Sequence, residues 1–310
     1  MRTLILITFS FLLALFSTGC KRTQAPDDLT VFVSILPQKY FVEKIAGNTV
    51  KVEVLVSPGK NPHTYEPTPQ QVMSLGNAKA LFTIGVAFEN TFLPKIQNTL
   101  TSLRIVDTSI GITKRTLESH DHHEDEVEGE HHEDDHHEDE KEDEHHEDGV
   151  SDPHIWLSPS LVKIQARTIY NALIEINPAK TSLYTTGYES LINELDALIA
   201  DLKKTLAPFE GSLLFVFHPS FGYFADEFGL KQVAIETGGK ETTPAQLIRI
   251  IEEAHKEKVK IIFAQPEFSR ESAKKIGQAV NGTVVIVNPL HEDYSNNLQS
   301  ISLEIEKSFK

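Results

Sequence analysis

Apolar residues along this chain fall into two alternating kinds of run. In the first half LTVFVSI, VKVEVLV, ALFTIG and LRIVDTS are short and rich in β-branched residues, the composition of strands buried on both faces. Between them QKYFVEKIAG shows helical spacing and ends on Gly47, and PTPQQVMSLGNAKA opens a helix at Thr68-Pro69. The second half repeats the scheme, with GSLLFVFH, KQVAIET, KIIFAQ and TVVIVN as strands. FGYFADEFG, TPAQLIRIIEEAHKEK and SRESAKKIGQAV lie between them as helices. Strands alternating with helices predict an α/β protein, each half a mostly parallel sheet flanked by helices.

The halves are separated by a nearly strandless stretch, Ser160 to Pro208, interrupted by Pro178. From Ala179 to Leu206 a single helix of 28 residues would run about 42 Å at 1.5 Å per residue. It would form a stiff spine between two lobes. The competing arrangement is a pair of shorter helices stacked inside one domain.

Two segments stand outside this pattern. Residues 1–20 have Arg2, an apolar run of 13 residues from Leu4 to Phe16 and a small-residue ending at Gly19-Cys20. This is the anatomy of an export signal, the run being well short of the roughly 20 residues that span a bilayer. Cys20 is the sole cysteine, so an intramolecular disulfide and a cysteine-built zinc site are both excluded. Its setting resembles a bacterial lipoprotein cleavage box, although Ser17 stands where such boxes usually carry Leu. Lipidation there would leave residues 21–28 as a polar leash, whereas ordinary cleavage would release a soluble protein.

The second is Glu118 to Asp148, with 18 Asp and Glu against one Lys, nine histidines, and Val127 as its only apolar side chain. Too little apolar surface is present to offset the entropy of ordering it, so a disordered loop is expected at 118–148. The run carries −17 of a chain total of −16, leaving the rest at +1. A nearly neutral body without clustered Lys and Arg excludes nucleic-acid binding. The expected organisation is an N-terminal lobe over 29–159, a linking helical segment over 160–208 and a C-terminal lobe over 209–310.

Nine of the 14 histidines lie in the acidic run. Of the other five, His63, His154 and His218 share one setting: a loop stiffened by adjacent proline, in VSPGKNPHTYEPTP, SDPHIWLSP and FVFHPSFGYF. His63 and His218 also follow strands, where open α/β sheets place their ligands. Neutral imidazole is the commonest ligand for borderline divalent metals, and a closed site takes about four donors. His291 and Asp293, in NPLHEDYSNN, are rivals for the fourth place, and His255 lies among charges on a solvated helix face.

PHTYEPTP, DPHIWLSP and FHPSFGYFADEFGL, in that order and with a His-rich acidic run before the second, resemble the solute-binding proteins of zinc-uptake ABC transporters. This is the metal-binding branch called cluster A-I. The resemblance runs from about Leu29 to the C-terminus. It implies two α/β lobes joined by a long rigid helix, in a periplasmic or cell-surface protein that is not an enzyme. It further implies a metal bound in the interlobe cleft and handed to an ABC permease in the cytoplasmic membrane. The family's three histidine ligands fall on His63, His154 and His218; manganese-binding relatives tend to have Glu at the third. The family's fourth ligand varies among an acid near the C-terminus, an acid elsewhere and water, and Asp293, just before Tyr294, resembles the first version. Some zinc members place Glu directly before the first histidine, where this chain has Pro62.

Three nitrogens and one carboxylate suit Zn2+, whereas manganese and magnesium favour oxygen-dominated sites. The affinity order alone would put copper above zinc, so cellular supply matters too. The expectation is therefore a monomeric, high-affinity Zn2+-binding transport protein whose acidic run binds further zinc weakly and multiply. Manganese or iron transport and a surface adhesin or zinc buffer are its rivals. A zinc hydrolase is disfavoured by the absence of an HExxH helix, HEDDH at residues 132–136 falling in the run expected to be disordered, and by the absence of a GxSxG turn.

Overall fold

The computed structural model describes residues 29–117, 151–236 and 244–310. The signal, the Cys20 leash and the acidic run lie outside the described residues. Four parallel strands, β1 (Thr30–Val33), β2 (Lys51–Val54), β3 (Ala80–Thr83) and β4 (Arg104–Asp107), form a first sheet in the order β2-β1-β3-β4. A second, β5 (Leu213–Val216), β6 (Lys231–Ala234), β7 (Ile261–Ala264) and β8 (Thr283–Ile286), has the order β6-β5-β7-β8. Both are thus wound alike, with the chain reversing direction between the first and third strands. Helices α1 (Leu36–Ala46), α2 (Pro69–Leu75) and α3 (Ala87–Gln97) flank the first sheet, and α6 (Gly222–Phe228), α7 (Pro244–Lys256) and α8 (Arg270–Ala279) the second.

Strand position follows composition. All four residues of central β3 are buried, whereas edge strand β2, KVEV, is only partly covered. Local signals fix the helix ends. The Thr68 hydroxyl accepts from the Gln71 N–H at 3.3 Å while Gln71 Oε1 accepts from the Thr68 N–H at 2.9 Å, a reciprocal cap with Pro69 behind it. Gly47 closes α1 at φ +56°, where a side chain would be strained.

The linking segment holds α4 (Pro159–Ile176), a 3-10 turn at Pro178–Lys180 and α5 (Thr181–Leu206). The long helix is present, two residues shorter than expected because Pro178 starts the tighter turn; its 26 residues run about 39 Å. Tyr184, Leu191, Leu195, Leu198, Leu202 and Leu206 make its buried stripe, and it packs along both α4 and α1. The close crossing with α1 depends on Gly187, where a Cβ would lie 2.3 Å from the Ile45 carbonyl oxygen.

Two helices are not among those the pattern predicts. In α3 a buried stripe of Phe88, Phe92 and Ile96 outweighs the internal Pro94. The last helix, α9 (Tyr294–Phe309), packs on α5, and its buried Tyr294 meets Phe41 of α1 edge-on at 4.9 Å. One apolar core therefore runs from the first sheet through α4 and α5 to one face of the second sheet, and a smaller one covers the other face. β5 shows the division residue by residue: Leu214 and Val216 enter the large core, Phe215 and Phe217 the small one. No helix among the described residues is long and apolar enough to cross a membrane.

Gly187→Ala should lower stability by about 1–3 kcal/mol through overpacking, despite the roughly 1 kcal/mol that Ala gains over Gly in a helix. Urea denaturation checks this; an unchanged or higher midpoint would contradict the close crossing.

Candidate metal centre

His63 sits in the loop between β2 and α2. Asn61 Oδ1 accepts from the His63 N–H at 2.8 Å, fixing a tight turn, and the Pro62 carbonyl accepts from Phe88 N of α3 at 3.4 Å. The ring of Tyr65, two residues on, stands edge-on to Phe88 at 5.5 Å. Proline limits this backbone and α3 anchors it, so the ring of His63 is placed before any ligand arrives.

His154 opens the 3-10 turn Ile155–Leu157. Asp152 Oδ1 accepts from both the His154 N–H (2.9 Å) and its Nδ1–H (2.7 Å). Just upstream, Thr116 and Ser151 form an antiparallel bridge and Asp152 N donates to the Arg115 carbonyl at 2.8 Å. The chain on either side of the acidic run is thus tied together three residues before His154. Beyond it Trp156, the only tryptophan, lies 5.2 Å from the His154 ring and donates to the Pro289 carbonyl at 2.9 Å.

His218 follows β5 directly. Its Nδ1–H donates to Glu236 Oε2 at 2.6 Å, and Glu236 lies two residues past β6. Gln265, just past β7, holds the His218 backbone from both sides, accepting from its N–H at 3.3 Å and donating to its carbonyl at 3.0 Å. Phe268 stacks on the His218 ring at 4.5 Å.

These three loops bring one nitrogen from each ring to a common point, all within 4.8 Å of one another. His63 Nε2 is 3.0 Å from His218 Nε2, which is 3.3 Å from His154 Nε2. Two ligand nitrogens at 2.0–2.1 Å from a tetrahedral zinc would stand about 3.3 Å apart. Because the carboxylates of Asp152 and Glu236 take the Nδ1 protons of His154 and His218, the Nε2 lone pairs point inward. Burial, followed by the neighbouring His154 and His218 rings, pushes the His63 pKa down to about 3, and burial holds His218 below its ordinary value against the pull of Glu236. Lone pairs turned into a buried site, where burial opposes protonation of His63 and His218, attract a cation. The pocket around them, about 20 Å³, is walled by Pro62, Trp156, Phe268 and Leu290.

Asp293 is not brought to this point. It opens α9, accepts from Asn296 Nδ2 at 2.8 Å and lines a different cavity with Tyr40, Lys44 and Glu194, between α1, α5 and α9. The first turn of α9 is committed there: Ser295 Oγ donates to Glu194 Oε1 at 2.5 Å and Tyr294 is buried on Phe41. His291 is exposed, its Nδ1 accepting from Asp293 N at 3.0 Å, and His255 is exposed at the end of α7. The sequence expectation misses the two carboxylates behind the rings. Asp152 had a signal, a carboxylate two residues before the histidine in SDPHIWLSP; Glu236, 18 residues from its partner, had none.

A family model described as ZnuA, zinc-uptake complex component A, periplasmic, matches residues 31–307. A solved structure, described as the crystal structure of ZnuA, is 34% identical and superposes with a TM-score of 0.79 over 92% of this chain and all of its own. The high-affinity zinc uptake system protein ZnuA of Yersinia pestis is 27% identical over 88% of each chain. The iron-binding protein YfeA of the same organism is 25% identical over 94% of this chain and 88% of its own. A match over nearly the whole described chain, on a fold that brings three histidines together, leads to one conclusion: this chain belongs to the periplasmic zinc-uptake component A family, which serves extracytoplasmic metal transport and not catalysis.

Proposed function

We propose that this protein captures Zn2+ between its two lobes, on His63, His154 and His218, and delivers it to an ABC permease in the cytoplasmic membrane. The observation that supports this most is the meeting of three Nε2 atoms at 3.0 and 3.3 Å, two of them from rings oriented by buried carboxylates. A nitrogen-rich donor set favours zinc over manganese. The similarity to an iron-binding protein gives a second reading, in which the same site takes Fe2+ or Mn2+; competition titration decides between them. In this reading residues 29–159 and 209–310 are the two lobes, 160–208 links them, and Cys20 carries a lipid anchor that keeps the protein near its permease.

The acidic run then serves supply. It leaves and rejoins the fold beside His154, so any ion it holds is kept at a raised local concentration near the cleft. A chain that must be ordered around each ion binds weakly, whereas loops already fixed bind tightly.

Purified protein should bind one zinc tightly, with a change in Trp156 emission, and alanine at His63, His154 and His218 together should abolish both. Tight binding retained by the triple variant would overturn the assignment. Deleting residues 118–148 should remove the weak sites in calorimetry and leave the tight one; loss of the tight site would refute this division of labour. A strain lacking the protein should need more zinc to grow, and unchanged growth in zinc-poor medium would count against delivery to a permease.

A further inference from the structure

Three imidazoles leave a closed site one donor short of the usual four. The missing donor has to come from the pocket lining or from solvent, and most oxygens of that lining are engaged. Asn61 Oδ1 accepts from His63 N, Gln265 Oε1 from His218 N, Ser220 Oγ from Gln265 Nε2 at 2.9 Å, and the Pro289 carbonyl from Trp156. Glu267 is the one carboxylate among the residues lining the pocket. Among the described residues its side chain meets no partner but its own backbone N–H. Burial pushes its carboxyl pKa up, against the pull of that N–H.

Topology puts Glu267 in a ligand's place. β5 and β7 are neighbours where the chain order of the second sheet reverses, and open α/β sheets bind ligands beyond the carboxyl ends of the strands flanking that point. His218 lies two residues past β5, and Glu267 three residues past β7. The Glu267 backbone is clamped beside the His218 ring, by Gln265 on the His218 backbone and Phe268 on its face. Its carboxylate oxygens are not among the atoms clustered within 4.8 Å, so the side chain must turn to reach the ion.

The geometry points to Glu267 as the fourth donor to the captured dication, its carboxylate rotating from the pocket wall onto the open side of the three Nε2 atoms. This rests on the zinc-capture reading and completes it: the ion meets a donor set of three nitrogens and one anionic oxygen, the oxygen arriving last. No bond but the coordinate one forms, and the water it displaces leaves through the pocket mouth.

The test uses the full chain with Zn2+ in a chelator competition and Co2+ as a visible-absorption probe of ligand identity. Glu267→Gln should weaken zinc binding by about 10-fold or more, since even residues behind metal ligands are worth about 10–100-fold. It should also shift the Co2+ bands, while Asp293→Asn leaves affinity and bands as in the wild type. Wild-type affinity and bands in Glu267→Gln would overturn the proposal and assign the place to water. A wild-type chain without a tight site would instead overturn zinc capture itself. Matching melting temperatures of the metal-free variants exclude misfolding as the cause; should Glu267→Gln melt lower, Glu267→Asp, which keeps the charge, must bind zinc more tightly than Glu267→Gln, or the proposal fails.

Discussion

The constraint that the rest of this structure serves is the convergence of three imidazole nitrogens, from loops far apart in the chain, on one buried point. The nitrogens of His63, His218 and His154 stand 3.0 and 3.3 Å apart. Structure further out holds them there: Asp152 and Glu236 orient two of the rings, and Gln265 and the turn at Asn61 fix the backbones. Such preorganisation lowers what must be ordered when the ion binds.

That placement needs a frame that does not relax, and the frame is shared between the lobes. A single apolar core passes from the first sheet through α4 and α5 into the second. Polar ties reinforce it at the rim of the cleft: Ser160 Oγ donates to Glu227 Oε1 at 2.6 Å, Arg115 pairs with Asp226, and Tyr223 joins both sides, accepting from Arg115 N and donating to the Asp152 carbonyl, each at 2.9 Å. α9 returns from the second sheet to lie on α5, closing the chain over its own spine. Wide opening by a free hinge would have to tear apolar surface out of this core. Small adjustments of loops and side chains at the cleft cost far less.

The sequence makes the strands legible because the central ones are short apolar runs, broken in β3 only by Thr83 and in β5 by nothing. The three histidines are legible because proline marks the loops that hold them. What is not legible is what depends on distant partners. Glu236 meets His218 only because β6 pairs with β5. Asp293 looks like a ligand in sequence, yet its helix is drawn to α1 and α5 by Tyr294 and Ser295. Glu267 carries no local mark at all; only the adjacency of β5 and β7 sets it beside His218. α3 hides behind Pro94, whose cost is outweighed by a buried aromatic stripe visible only once packed.

Nitrogen donors also suit the surroundings in which this family works. The chain's single cysteine, Cys20, is far from the three histidines in sequence, and the rings meet without sulfur among them. Thiolates exposed outside the cytoplasm tend toward disulfide formation and would then surrender a metal. Imidazoles undergo no such change, so a site built of them is insulated from the redox poise of the space around it.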